Sequence, residues 1–219
     1  MSLVKICGMT RPEEVAAAVA AGADRLGFVV EYPQDNPWNL SRAEARVLMS
    51  AVPPGVLRVA VVGGDAEAIL GIVRDLAPGM VQIHDDGPAE VVAAVAATGV
   101  PVVKALRIDV DAPDPDPDHW ITLGRSFAAA GAAELLVDSK SSSRPAGTGV
   151  AVDRAFVRRV VRGVGVPVVL AGGLTPGNVA ETVREVRPAV VDVISGVEGP
   201  GHVKDPALMA AFVAAVRGA

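Results

Sequence analysis

The sequence predicts an α/β protein, a single (β/α)8 barrel of the TIM-barrel class with a parallel eight-stranded core, spanning residues 1–219 as one domain. Short aliphatic runs alternate with helix-period segments along the whole chain. Most of those runs are apolar at consecutive positions, as parallel strands covered on both faces must be. Shared among eight units, 219 residues give about 27 each, which suits βα repeats with short loops. An open doubly wound sheet, the competing architecture, usually has fewer strands.

Strands are expected at 4–7, 26–30, 57–62, 80–84, 100–105, 134–137, 166–170 and 190–194. Between them lie amphipathic segments. Ile69, Ile72, Val73 and Leu76 follow an i, i+3, i+4, i+7 spacing, and Leu208, Phe212 and Val216 step by four, so each set lines one helix face. Thr10 with Pro12 and Glu13, Ser41 with Glu44, and Thr175 with Pro176 mark helix starts. Gly22 and Gly99 close helices before the next strand. Residues 109–118, acidic and proline-rich, read as a solvated loop ahead of a helix near 119–130.

Composition narrows the function classes. Hydrophobic residues make up 51% of the chain and aromatics only 3%, so the core is aliphatic. A formal charge of -5 without a basic stripe argues against nucleic acid as a partner. The N-terminus lacks the pattern of a signal peptide, and no apolar run reaches the ~18 residues a membrane span needs. A cytoplasmic protein without a membrane partner is expected, acting as a monomer or homodimer. One cysteine rules out an internal disulfide.

In a βα barrel the active site lies at the C-terminal ends of the strands. Cys7 ends the first strand, His84 and Asp85 the fourth and Asp138 the sixth, while Asp192 lies within the eighth. A thiolate and a carboxylic acid facing one pocket can serve as general base and general acid. Taken alone, a lone cysteine is a small buried hydrophobe and Asp138 a helix N-cap or a partner in a loop salt bridge. Glycine-rich turns follow the last strands at Gly147-Thr148-Gly149, Gly172-Gly173 and Ser195-Gly196. Three such turns on adjacent loops point to phosphate binding. No dinucleotide or mononucleotide fingerprint is present. His84, His119 and His202 lack metal-ligand spacing. Neither a metal nor a cofactor is expected.

Several segments together resemble phosphoribosylanthranilate isomerase of tryptophan biosynthesis. They are Lys5-Ile6-Cys7-Gly8-Met9-Thr10, Gly22-Ala23-Asp24 with Gly27-Phe28, and Val81-Gln82-Ile83-His84. Further along come Leu136-Val137-Asp138-Ser139, Leu170-Ala171-Gly172-Gly173-Leu174 and Asp192-Val193-Ile194-Ser195-Gly196-Val197-Glu198. The resemblance implies a cofactor-free Amadori rearrangement of a small phosphorylated substrate. It implies Asp138 as the acid that opens the ribose ring and Cys7 as the base that removes the C2 proton. Phosphate would be held near Gly147, Gly149, Gly172, Gly173, Ser195 and Gly196, and the remainder of the substrate by Lys5, Trp38, His84, Arg107 and Asp192. The chain departs from the family where Asn36-Pro37-Trp38 replaces Ser-Pro-Arg, whose arginine pairs with the anthranilate carboxylate. Ile194 replaces a usual serine, and His84-Asp85-Asp86-Gly87 the usual His-Gly-Asp-Glu. Arg42, Arg107 and Lys5 are the candidate replacements for that arginine. The alternatives are an isomerase of a different N-phosphoribosyl amine and a non-catalytic phosphate-ligand-binding barrel.

Overall fold

The computed structural model describes residues 1–109, 116–140 and 153–219. The strands run β1 (Leu3–Ile6), β2 (Arg25–Val30), β3 (Asn39–Leu40), β4 (Leu57–Val62), β5 (Met80–Ile83), β6 (Val102–Asp109), β7 (Glu134–Lys140), β8 (Val168–Leu170) and β9 (Val190–Val193). All pair in parallel in the order β1-β9-β8-β7-β6-β5-β4-β2, and β1 pairs with β2 to close the barrel. Two-residue β3 adds only to the end of β2, at Val29 and Val30. Eight helices, α1 (Pro12–Ala20), α2 (Arg42–Ser50), α3 (Ala66–Leu76), α4 (Ala89–Ala96), α5 (Pro117–Ala129), α6 (Arg154–Gly163), α7 (Val179–Val186) and α8 (Pro206–Arg217), are found among the described residues.

The expected strands are all present; β4 matches to the residue and the others shift at one or both ends. Strand β8 begins at Val168 instead of 166 and β6 at Val102 instead of 100, because Pro167 and Pro101 immediately before them have no N–H to give a ladder. Strand β6 also runs on to Asp109, beyond the expected end at 105. Helix α2 has the expected capping box: Ser41 accepts from Glu44 N, and the Glu44 carboxylate accepts from Ser41 N at 2.8 Å. Helix α7 starts at Val179, later than Thr175 suggests, because Pro176 and Gly177 form a turn that Asn178 ties to Thr175 N. Helix α5 starts at Pro117, capped by Asp116, two residues before the expected start.

Two apolar layers explain the unbroken hydrophobic runs. Outward-facing Val4, Ile6, Leu26, Phe28, Ala60, Val62, Leu135 and Val137 pack under the helices. Inward-facing Val59, Met80, Val103, Ala105, Leu136, Val169 and Val190 fill the barrel. The period-2 alternation of a strand assigns neighbours on each strand to opposite faces. Polar Lys5, Arg25, Gln82, Glu134 and Asp192 occupy other inward positions. Near the strand starts, Arg25 of β2 reaches across to Glu134 of β7 through two contacts of 2.7 and 2.8 Å.

Helix α1 is anchored by buried Glu14. Its carboxylate accepts from Thr10 N, Thr10 Oγ1 and Arg11 N, and its second oxygen accepts from Lys204 N at 3.0 Å. The acidic partner of Thr10 is therefore Glu14, one residue beyond the Glu13 expected. Hydrogen bonds to a charged group contribute about 1.5–3 kcal/mol each, and donors left buried without a partner add a desolvation cost. Glu14→Ala is expected to lower unfolding free energy by at least about 3 kcal/mol, read from the urea midpoint, with Glu13→Ala nearly neutral as control.

Candidate active site

Strand alternation brings a set of polar side chains to one mouth of the barrel. Cys7, His84, Arg107, Asp138 and Ile194 continue the inward series of β1, β5, β6, β7 and β9 respectively. Cys7 lies one residue past β1, and its N–H still donates to Val193 O at 2.8 Å, so the ladder fixes its position. Asp138 stands beside Arg107 in register. The Nε2 of His84 lies 3.4 Å from Asp138 Oδ2, and its Nδ1 lies 3.1 Å from Gln82 Nε2. Arg107 is 3.6 Å from Asp86.

Beneath the mouth, Lys5 and Asp192 form a buried ion pair of 2.7 Å. Burial alone would pull the Lys5 ammonium down, but Asp192 and Cys7 outweigh it and hold it above its ordinary range. Burial pushes the Asp192 carboxyl up, partly offset by Lys5 and reinforced by Asp138. Asp192 Oδ1 is buried and has no hydrogen-bond partner among the described residues. Burial likewise pushes the Cys7 thiol up, with Lys5 the largest opposing influence.

One wall of the mouth is apolar: Cys7, Val29, Trp38 and Val61 pack together with Tyr32 and Ile194. Trp38 is only 6% exposed. Its indole N–H donates to Glu198 Oε1 at 2.7 Å, and the same carboxylate holds the Lys204 ammonium. Lys204 also donates to Ile194 O and sits 5.7 Å from the Trp38 ring centre. Glu198, Lys204 and the indole thus form one buried cluster at the position where the family arginine was expected. Neither Glu198 nor Lys204 was singled out in the sequence as a partner of Trp38; the Trp38–Glu198 contact spans 160 residues and leaves no local pattern.

The remaining side carries the glycine turns. Gly172 and Gly173 both take positive φ, 88° and 63°, conformations that favour glycine. Asn178 donates to Gly173 O at 2.9 Å and steadies that turn. Ser195 and Gly196 open a single 3-10 turn, and a Cβ on Gly196 would lie 1.9 Å from Leu174 O. The last two strand-end turns therefore touch through glycine. Gly147 and Gly149 lie outside the described residues. Of the candidates for a cation facing the mouth, Lys5 is enclosed with Asp192, and Arg42 is held on the surface by Glu31 and Asp75 at 2.7 and 2.5 Å. Arg107 alone of the three ends at the mouth. No cluster suited to a metal occurs among the described residues.

This geometry has close relatives. A family model described as N-(5'-phosphoribosyl)anthranilate (PRA) isomerase matches residues 4–215. The N-(5'-phosphoribosyl)anthranilate isomerase of Haloferax volcanii is 41% identical, over 99% of this chain and 94% of its own length. The crystal structure of phosphoribosyl anthranilate isomerase from Thermus thermophilus superimposes with a TM-score of 0.81 at 32% identity, covering 99% of this chain and 98% of that one. A second solved isomerase, in complex with reduced 1-(o-carboxyphenylamino)-1-deoxyribulose 5-phosphate, gives a TM-score of 0.81 at 30% identity over the whole of both chains. By the extent of that match, from the first strand to the last helix, the chain belongs to the N-(5'-phosphoribosyl)anthranilate isomerase family.

Proposed function

We infer that this protein is a cytoplasmic, cofactor-independent isomerase of tryptophan biosynthesis, a monomer or homodimer acting on a small phosphorylated substrate. It converts N-(5'-phosphoribosyl)anthranilate to 1-(2-carboxyphenylamino)-1-deoxyribulose 5-phosphate. The observation that carries the reading is the placement of Cys7 and Asp138 on different strands at one mouth, between an apolar wall and the glycine turns.

That placement supports the division of the family's rearrangement between these two residues. Asp138 in its acid form protonates the ribose ring oxygen. The C1–O bond breaks as the amine lone pair forms an iminium, which serves as the electron sink. Cys7 as thiolate takes the C2 proton, and the electrons of that bond flow to the iminium to give an enolamine. Tautomerisation of the enolamine yields the ketone. General acid and base contributions of this kind are each about 10²–10⁴-fold. His84, 3.4 Å from Asp138, orients the acid. The unpaired Oδ1 of Asp192 offers an acceptor for a substrate hydroxyl. The aromatic aglycone is assigned to the wall of Val29, Val61 and Trp38, and its carboxylate to Arg107, which ends at the mouth. Backbone N–H groups around Gly172, Gly173, Ser195 and Gly196 hold the phosphate, together with Gly147 and Gly149.

Binding tests this reading without turnover. Reduced 1-(o-carboxyphenylamino)-1-deoxyribulose 5-phosphate, titrated by calorimetry, is expected to occupy one site in competition with inorganic phosphate. Gly173→Val should weaken it at least about ten-fold, because a non-reacting phosphate contributes uniform binding. Absence of binding in the wild type contradicts the assignment.

Trp38 sets a further expectation. An arginine there would meet Glu198, the present acceptor of the indole N–H, and present its remaining donors toward the mouth. A charge-assisted contact to the aglycone carboxylate contributes about 1.5–3 kcal/mol. Trp38→Arg is therefore expected to raise kcat/KM for phosphoribosylanthranilate about ten-fold, chiefly through KM, and to leave an analogue without the carboxylate unimproved. Steady-state kinetics on both compounds checks this. A wild type that already prefers the carboxylated substrate strongly, with no gain in the variant, would assign the carboxylate to Arg107.

A further inference from the structure

We propose that Lys5 is the counter-charge of the Cys7 thiolate, a positioning residue fixed beneath the sulfur by Asp192 and not a contact of the substrate. The proposal rests on the assignment of Cys7 as the base. Residues 5 and 7 of one strand point to the same face, here the barrel interior. Asp192 is the register partner of Lys5 on β9 and takes its ammonium at 2.7 Å, with the two side chains 2% and 7% exposed. On the other side, β2 contributes Gly27. A Cβ at Gly27 would lie 2.6 Å from Cys7 Sγ and 3.0 Å from Lys5 Nζ. The space that any other residue would fill is thus shared by the thiol and the ammonium. The sequence shows Gly27 only as a glycine inside a strand, which usually marks a bulge or a close approach.

A buried ammonium is costly unless paired. One carboxylate oxygen of Asp192 satisfies part of that need, and the sulfur lies on the side that Gly27 leaves open. The charged groups acting on Cys7 are Lys5 from β1, Asp192 from β9 and Lys204 from the segment before α8; β2 sets Gly27 and Val29 beside the sulfur, while its Arg25 turns to Glu134 near the strand starts. Asp192 in turn faces Lys5, Asp138 and His84. Burial raises the thiol, the two lysines oppose it, and Asp192 adds to it. The thiolate fraction therefore grows as pH rises through a midpoint above the ordinary thiol range, and kcat/KM rises with it. The thiol proton leaves to solvent and Lys5 keeps its own. Removing Lys5 moves the midpoint further up; removing Asp192 moves it down.

Cys7 is the only cysteine, so the ultraviolet absorbance of its thiolate, with Cys7→Ser as blank, titrates this group without any substrate. Lys5→Met is expected to raise the midpoint by at least about one pH unit, the usual effect of losing an opposite charge at contact. The ascending limb of kcat/KM should move with it, and Lys5→Arg should return both toward wild type. Asp192→Asn, which keeps the lysine, should lower the midpoint. Should Lys5→Met fail to fold because it strands Asp192, the double variant with Asp192→Asn replaces it, with a midpoint still above wild type. A folded Lys5→Met protein, or the double variant in its place, with an unchanged midpoint overturns the proposal, whatever its activity. So does an Asp192→Asn midpoint that fails to fall. Loss of turnover in the wild type would overturn the assigned reaction but leave this titration readable, so the two failures are distinguishable.

Discussion

Cys7→Ala and Asp138→Asn are each expected to lower kcat by at least about 10²-fold while the melting temperature stays near wild type. The two side chains end different strands at one mouth, and with a single cysteine in the chain no second thiol can substitute. Cys7 is small and packs in an apolar wall, so alanine there removes one sulfur from the Val29, Trp38 and Val61 cluster and leaves the Lys5–Asp192 ion pair in place. Asparagine at 138 preserves the shape and a contact to His84 but has no acidic proton to give the ring oxygen. If either residue were merely structural, the pattern would invert, with stability lost and activity per folded molecule kept. Thermal melts and steady-state kinetics on the same preparations separate the two.

Gly196→Ala is expected to do the reverse, striking binding and stability more than chemistry. The added Cβ would lie 1.9 Å from the carbonyl oxygen of Leu174, a backbone atom that cannot rotate away. Either the turn after β8 or the one after β9 must move. Overpacking of this kind costs about 1–3 kcal/mol, and movement of either turn spreads the N–H groups assigned to phosphate. KM should rise at least about ten-fold with kcat within a few-fold of wild type. Gly177→Ala is the control, because its Cβ would meet only Thr175 Oγ1 at 3.8 Å and should change little. A Gly196→Ala protein with unchanged KM and melting temperature would remove this turn from the phosphate site.

Much of this was legible in the sequence because the barrel writes its layers into each strand. Consecutive apolar residues arise where Leu135 and Val137 pack under helices while Leu136 between them fills the interior. Cys7, Asp138 and the glycine pairs stand at strand ends, where position along the chain gives position in the fold. What stayed hidden depends on distant pairing. The ion pair beneath Cys7 leaves no local sign, because the partner of Lys5, Asp192, is 187 residues away. The Trp38 cluster is likewise assembled from the turn after β2 and the segment before α8. Strand β3 is only two residues long and exists because Val29 and Val30 offer it an edge, so no periodicity announces it. The shifted starts of β6 and β8 were readable in principle, since Pro101 and Pro167 mark where a ladder can begin.

The rearrangement itself is open to direct measurement. The direct measurement generates phosphoribosylanthranilate in situ from anthranilate and follows loss of its fluorescence on adding the protein, with the Cys7→Ala and Asp138→Asn variants run in parallel. Catalysed decay by the wild type, reduced at least about 10²-fold in each variant, is the predicted result. No decay above the uncatalysed rate with folded wild-type protein, or equal rates in all three, would contradict the account.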